Sequence, residues 1–221
     1  MNELYWVITI LISFLGIILF YKLWGKTGLF VWLSIATITA NIQTIKIVEI
    51  FNIETALGTV LYGTTFLATD LLNEIYGNKI AKKGIMFAFV SMVTVTILMS
   101  MSLIYTPSVN DIGHNSLNEV FTFNVKVTLA SILAFLISQM IDSSLYCKLK
   151  EKKYPIWIRN NLSTLISQLV DTAIFIFIVY FKTVSTSVMI EIAFFMYVFK
   201  FLIALIDTPF MYLALRLKSN K

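Results

Sequence analysis

The chain has 221 residues, 58% of them hydrophobic and only 13% charged, with a net charge of +5. A soluble domain usually carries about a quarter charged residues, so this composition excludes one and points to a polytopic membrane protein. One cysteine, Cys147, and one histidine, His114, exclude a disulfide framework and a His/Cys metal cluster within the chain.

A helix needs about 20 mainly apolar residues to cross the hydrocarbon core. Seven segments qualify, predicted at 5–21, 28–47, 55–75, 84–105, 124–146, 161–181 and 189–214, the third and seventh being the most polar. The first lacks a basic leading region and a small-residue cleavage site, and its lysines follow the apolar run, so it reads as an anchor peripheral to function. Span two carries Thr39, Gln43 and Lys46 on one face with Asn41 adjacent, and its "ATITA" has small residues, Ala36 and Ala40, at close-packing spacing. Span three ends in "TTFLATDLLNEIYGNK", where Asp70, Asn73 and Glu74 share a helix face. The polar stretch 106–123, which contains His114, reads as an external loop. Span five carries "SQMID" (Ser138, Gln139, Asp142) and span six "SQLVD" (Ser167, Gln168, Asp171) in antiparallel spans, an echo that suggests an inverted duplication. Span seven places Lys200 and Asp207 two turns apart, before Pro209 and Tyr212.

Basic residues are distributed asymmetrically. Lys22, Lys26, Lys79, Lys82, Lys83, Lys148, Lys150, Lys152, Lys153, Arg159, Arg216, Lys218 and Lys221 fall in loops and a tail on one side, and Lys182 alone on the other. By the positive-inside rule the N-terminus is outside and the C-terminus cytoplasmic. Topology thus explains the net positive charge, and nucleic acid is not an expected partner.

Asp70, Asp142, Asp171, Lys200 and Asp207 all fall within predicted spans. Each unpaired charge near a helix centre costs about 2.5–3.5 kcal/mol on insertion scales, so the five must share a polar interior. One lysine cannot neutralise four aspartates, and some carboxylates must be protonated, hydrated or reserved for a ligand with donor groups. A carboxylate accepts two parallel hydrogen bonds, an amide serves a ring carbonyl, and Tyr62, Tyr76 or Tyr212 could stack on a ring, which suits a small heterocycle. The competing structural readings are specific. Asp70 and Glu74 could cap the cytoplasmic end of span three beside Lys79 or Lys82, and Asp142 could snorkel towards Lys148 or Lys150. Asp171 and Lys200 could be a structural ion pair, and Gln139 and Gln168 could tie helices together.

Four stretches, "FLATDLLNEIYG" (66–77), "SQMIDSSLYCKL" (138–149), "STLISQLVDTAIFIFIVYF" (163–181) and "YVFKFLIALIDTPFMY" (197–212), together resemble the queuosine precursor transporter family, formerly grouped as a vitamin-uptake transporter family. The resemblance covers residues 28–215 and implies an all-α, polytopic transmembrane bundle with a six-helix core and one extra N-terminal span (5–21), all within a single transporter domain, 1–221. It implies an inner-membrane importer of 7-deazaguanine bases (7-cyano-7-deazaguanine, its aminomethyl form or queuine) for tRNA modification, with no cofactor and no metal. Asp70, Asn73, Glu74, Tyr76 and Gly77 match the family's D-x-x-N-E-x-Y-G signature, and Asp142, Gln168, Asp171, Lys200, Pro209 and Tyr212 match its later motifs. From these and the residues already singled out, Asp70, Asn73, Gln139, Asp142, Gln168, Asp171, Lys200 and Asn41 are the expected substrate-binding residues, and Glu74, Asp207, Tyr76 and Tyr212 the coupling or gating candidates. The alternatives are a carrier of another small heterocycle or vitamin, or a binding subunit that docks an energising partner through the Ala36/Ala40 stripe. A second copy as partner is left open. An enzyme is not expected, because the chain has no DxxxD metal motif, no G-x-S-x-G and no buried histidine.

Overall fold

The computed structural model describes residues 1–122 and 125–219. The side chains of Lys126, Lys218 and Lys221 lie outside the described residues. In chain order the elements are α1 (Asn2–Trp24), α2 (Lys26–Gln43), β1 (Ile47–Ile50), β2 (Ile53–Ala56), α3 (Thr59–Tyr76), α4 (Asn78–Ser102), α5 (His114–Thr122), α6 (Val125–Glu151), α7 (Ile156–Tyr180) and α8 (Thr186–Ser219). The seven long helices correspond in order to the seven predicted spans, and the fold is an all-α polytopic bundle.

Five of these helices, α1, α4, α6, α7 and α8, are long and apolar enough to cross a membrane on length and composition alone. α2 and α3 have 18 residues each. α3 is polar because protein surrounds it: every residue from Gly63 to Asn73 is buried, and α1, α2, α4, α6 and α8 all pack on it. A helix enclosed on all sides needs no apolar face for lipid. The expectation of a polar seventh span fails, since an 18-residue stretch of α8 reaches a mean hydropathy of 2.2 against 1.5 for that of α6. Pro209 lies inside α8 without ending it.

Helices in lipid gain little from expelling water, so close van der Waals approach holds them together. α1 buries a stripe of Trp6, Ile10, Phe14, Ile17 and Tyr21 against α2, α3 and α8, and Phe14 stacks on Phe210 with ring centroids 4.9 Å apart. The extra N-terminal span is therefore an integral wall of the bundle. Its first residues also tie down the only strands among the described residues. Asn2 Nδ2 donates to the Glu49 carbonyl at 3.0 Å, and Trp6 meets Phe51 edge to face.

Those strands form an antiparallel hairpin that pairs Ile47 with Ala56 and Ile50 with Ile53. Its two-residue turn, Phe51 and Asn52, has positive φ at both positions, the pattern whose twist matches paired strands. The hairpin displaces the predicted end of span two: α2 stops at Gln43 and Lys46 is exposed beyond it. At the same end of the bundle, Asp111 accepts the backbone N–H groups of Gly113 at 2.7 Å and His114 at 2.9 Å. These donors begin α5 inside the predicted loop and hold the Asp111 carboxyl below its usual range.

At the opposite, lysine-rich end, single glycines join consecutive helices. Gly25 (φ 57°) links α1 to α2, and Gly77 (φ 87°, ψ 165°) links α3 to α4. Space is open around Gly77, so the demand for glycine comes from the backbone conformation alone. A Gly77→Ala change should cost about 1–3 kcal/mol of stability. It should appear as a lowered melting temperature in detergent; an unchanged one would show that the elbow relaxes.

Candidate functional site

α7 carries its polar residues in pairs four apart: Arg159 and Asn160, Ser163 and Thr164, Ser167 and Gln168, Asp171 and Thr172, all buried. This spacing draws a polar stripe down one face of the helix, and in an apolar bundle such a stripe must turn inward. α6 packs along it, with Ser138, Gln139, Asp142 and Ser143 fully buried. Two polar centres result.

The first, towards the hairpin end, is organised by Asp171. Lys200 Nζ of α8 lies 2.5 Å from Asp171 Oδ2 and also donates to Thr172 Oγ1 at 3.2 Å. Ser138 Oγ donates to Asp171 Oδ1 at 3.1 Å, and the Tyr62 hydroxyl donates to the same oxygen. The ammonium sits 5.4 Å from the Tyr62 ring centroid, a further attraction for a desolvated cation. Beside this pair lies a cavity, open at its mouth, lined by Asn41, Tyr62, Ala134, Phe135, Asp171 and Lys200 among others. A second cavity shares Asn41, Thr44 and Met92 with it and continues to Phe121 of α5.

The second centre lies towards the lysine-rich end. Asp142 Oδ1 accepts Ser167 Oγ at 3.1 Å, and Asp207 Oδ1 accepts Asn160 Nδ2 at 2.5 Å. Asp70 lies against Asp142 and within electrostatic reach of Asp207. Below them, Glu74 pairs with Arg159 at 3.0 Å and Lys150 at 3.5 Å and accepts the Tyr146 hydroxyl at 3.0 Å. Lys150 also caps α3, donating to the carbonyls of Asn73 at 3.2 Å and Glu74 at 2.6 Å.

The two "SQxxD" motifs are exchanged across the α6–α7 seam. Ser138 of the first donates to Asp171 of the second, and Ser167 of the second to Asp142 of the first, both at 3.1 Å. Antiparallel helices bring identical segments into this reciprocal register, each serine opposite the other motif's aspartate.

The structure sorts the twelve expected residues. Asp171, Lys200 and Asn41 line the main cavity. Asp70, Asn73, Asp142 and Asp207 gather in the second centre with Glu74 just beyond. Gln139 is committed to α3, accepting from Thr69 and donating to Thr65, each at 2.8 Å. Gln168 is buried with neither amide atom partnered. Tyr76 and Tyr212 are half exposed, and neither lines a described cavity. Three local expectations are corrected. Glu74 pairs with Lys150 and Arg159 rather than Lys79 or Lys82. Asp142 is fully buried instead of reaching for the loop lysines. Ala36 and Ala40 are also buried, with the Ala40 carbonyl close against Gly58, so that stripe is an internal contact and offers no docking face. Arg159, counted as a loop charge, is buried at the foot of the α7 stripe with Asn160. The four-residue pairing of polar side chains was the signal for both.

The described residues contain no grouping of His, Cys, Asp or Glu suited to hold a metal ion. The family model "Putative vitamin uptake transporter" matches residues 56–214. The "Probable queuosine precursor transporter" of Bacillus subtilis (strain 168) is 39% identical over 99% of this chain and 97% of its own length. The "Queuosine precursor transporter" of Escherichia coli (strain K12) is 28% identical over 79% of this chain and 80% of its own. No solved structure matches significantly. With a polar centre and cavity inside a bundle of apolar helices, and a family model and a relative that both cover most of the sequence, the chain belongs to the vitamin uptake transporter family, together with the queuosine precursor transporters.

Proposed function

We propose that this protein carries 7-deazaguanine precursors of queuosine across the membrane and binds them in the cavity beside Asp171. The observation that carries the reading is a buried, charged pair facing a cavity whose other walls mix apolar side chains with Asn41, Tyr62 and a few hydroxyl groups. Such a pocket suits a flat heterocycle with convergent polar edges. A carboxylate offers about four lone-pair sites; Tyr62, Ser138 and Lys200 occupy three, leaving Asp171 Oδ2 able to accept the exocyclic amine of a guanine-like base. Lys200 spends one N–H on Asp171 and one on Thr172, and its third serves the ring carbonyl. The Asn41 amide reads a further edge atom, and Tyr62 and Phe135 supply aromatic faces. Gln168, one turn from Asp171, holds an uncommitted amide in reserve.

The excess of lysine and arginine at one end makes that end cytoplasmic. Thr44, Ala56, Gly58 and Thr59 at the hairpin end line the cavity, so on this orientation the described state receives substrate from outside. Transport, and not catalysis, is the activity we assign to this chain.

Initial rates of labelled 7-cyano-7-deazaguanine, its aminomethyl form and queuine in proteoliposomes test the reading. Ala134→Phe, which fills the cavity wall next to Phe135, should raise KM at least tenfold at unchanged membrane abundance. Wild-type protein that moves none of the three bases, or a variant with wild-type KM, would refute the site.

A further inference from the structure

We propose that Asp70, Asp142 and Asp207 form a proton-binding site, separate from the substrate cavity, whose loading and release drive transport; this rests on the carrier reading above. Three helices bring the carboxylates together, Asp70 from α3, Asp142 from α6 and Asp207 from α8, and each is at most 1% exposed. The charged and titratable groups facing them are Glu74 on α3, Tyr146 and Lys150 on α6, and Arg159 on α7. That makes four carboxylates against two cations among the described residues, and Glu74 engages both cations. An uncompensated charge buried in a bundle is expensive, so two positive charges must come from a ligand.

The hydrogen bonding shows which ligand fits. Both oxygens of Asp70, Oδ2 of Asp142 and Oδ2 of Asp207 are buried without a partner. Asp70 and Asp142 lie against one another, so an O–H formed on either supplies the donor that the other lacks. The unpartnered polar atoms around them do not make up the deficit. Asn73 Nδ2, next to Asp70, and Thr164 Oγ1, next to Asp142, are unpartnered donors, whereas Asn160 Oδ1, whose amide nitrogen already serves Asp207, is a fifth unpartnered acceptor beside the four carboxylate oxygens. Fully buried polar groups normally find partners, and with five acceptor oxygens against two donor groups the shortfall is in donors. A metal ion would instead need convergent ligands at bonding distance, and the described residues hold no such group. A heterocycle needs space, and none of the three aspartates lines either described cavity. In a transport cycle the O–H bond would form with a proton from water on one side and break by transfer to water on the other.

Two measurements test this. Infrared spectroscopy of the substrate-free protein in lipid should show a protonated-carboxyl band at neutral pH that is weakened in Asp70→Asn, Asp142→Asn or Asp207→Asn. In proteoliposomes holding a pH-sensitive dye, adding 7-cyano-7-deazaguanine should carry protons with it. Asp142→Asn should cut that proton flux at least tenfold while binding of the base and its equilibrium exchange persist. A spectrum without such a band in the wild-type protein would overturn the proposal, as would proton flux unchanged in all three variants or accumulation that follows a sodium gradient. The infrared measurement uses no substrate, so a wild-type protein that fails to move the base would count against the carrier reading while the proton site is still judged on its own.

Discussion

Asp171→Asn should lower the initial rate of uptake by about one to two orders of magnitude at normal membrane abundance. Asparagine keeps the shape and one oxygen that can still accept from Tyr62 and Ser138. What it removes is the charge that holds Lys200 at 2.5 Å and that would accept the donor edge of the base. A hydrogen bond to a charged group is worth about 1.5–3 kcal/mol, and each 1.4 kcal/mol is a factor of ten. Asp171→Ala should be at least as damaging, because Tyr62 and Ser138 then lose their shared acceptor as well. Uptake by both variants at the wild-type rate, with abundance checked by immunoblot, would remove Asp171 from the site.

The second large effect concerns stability. Lys200→Met should destabilise the protein by roughly 3–5 kcal/mol, since removing one member of a buried pair strands the other. Methionine keeps most of the length and apolar bulk of the lysine stem, so the loss should come from charge. Adding Asp171→Asn to Lys200→Met should restore much of the stability, while transport stays lost. Melting temperatures of the two single variants and the double variant in one detergent give the coupling. Strictly additive losses would show that the pair at 2.5 Å contributes no mutual stabilisation.

The bundle itself could be read from the sequence because hydrocarbon thickness imposes its length on apolar segments. Helix ends could not: α6 runs on to Glu151 and α7 begins at Ile156, since a helix persists into the interface where Lys148, Lys150 and Arg159 are no longer apolar. The hairpin was hidden in the short link between spans two and three, overlapping the predicted end of one at Ile47 and the predicted start of the other at Thr55 and Ala56. Its signal was the β-branched runs around a two-residue turn with asparagine. Within the site, charge cost alone identified Asp70, Asp142, Asp171, Lys200 and Asp207 as interior, and the structure buries all five. Their division into two centres was not legible, because spacing along a helix does not reveal which neighbour it faces. Gln139 and Gln168 stand in identical local motifs; one is locked onto α3 by two threonines and the other has no partner.

The exchanged serine–aspartate contacts have a mechanical corollary. Ser138 and Asp142 are four residues apart, as are Ser167 and Asp171, so the two contacts sit about 6 Å apart along one pair of rods. A see-saw of α7 on α6 about a fulcrum between them stretches the contact on one flank as it squeezes its twin on the other. Both contacts therefore resist the same tilt, one in stretch and its twin in compression.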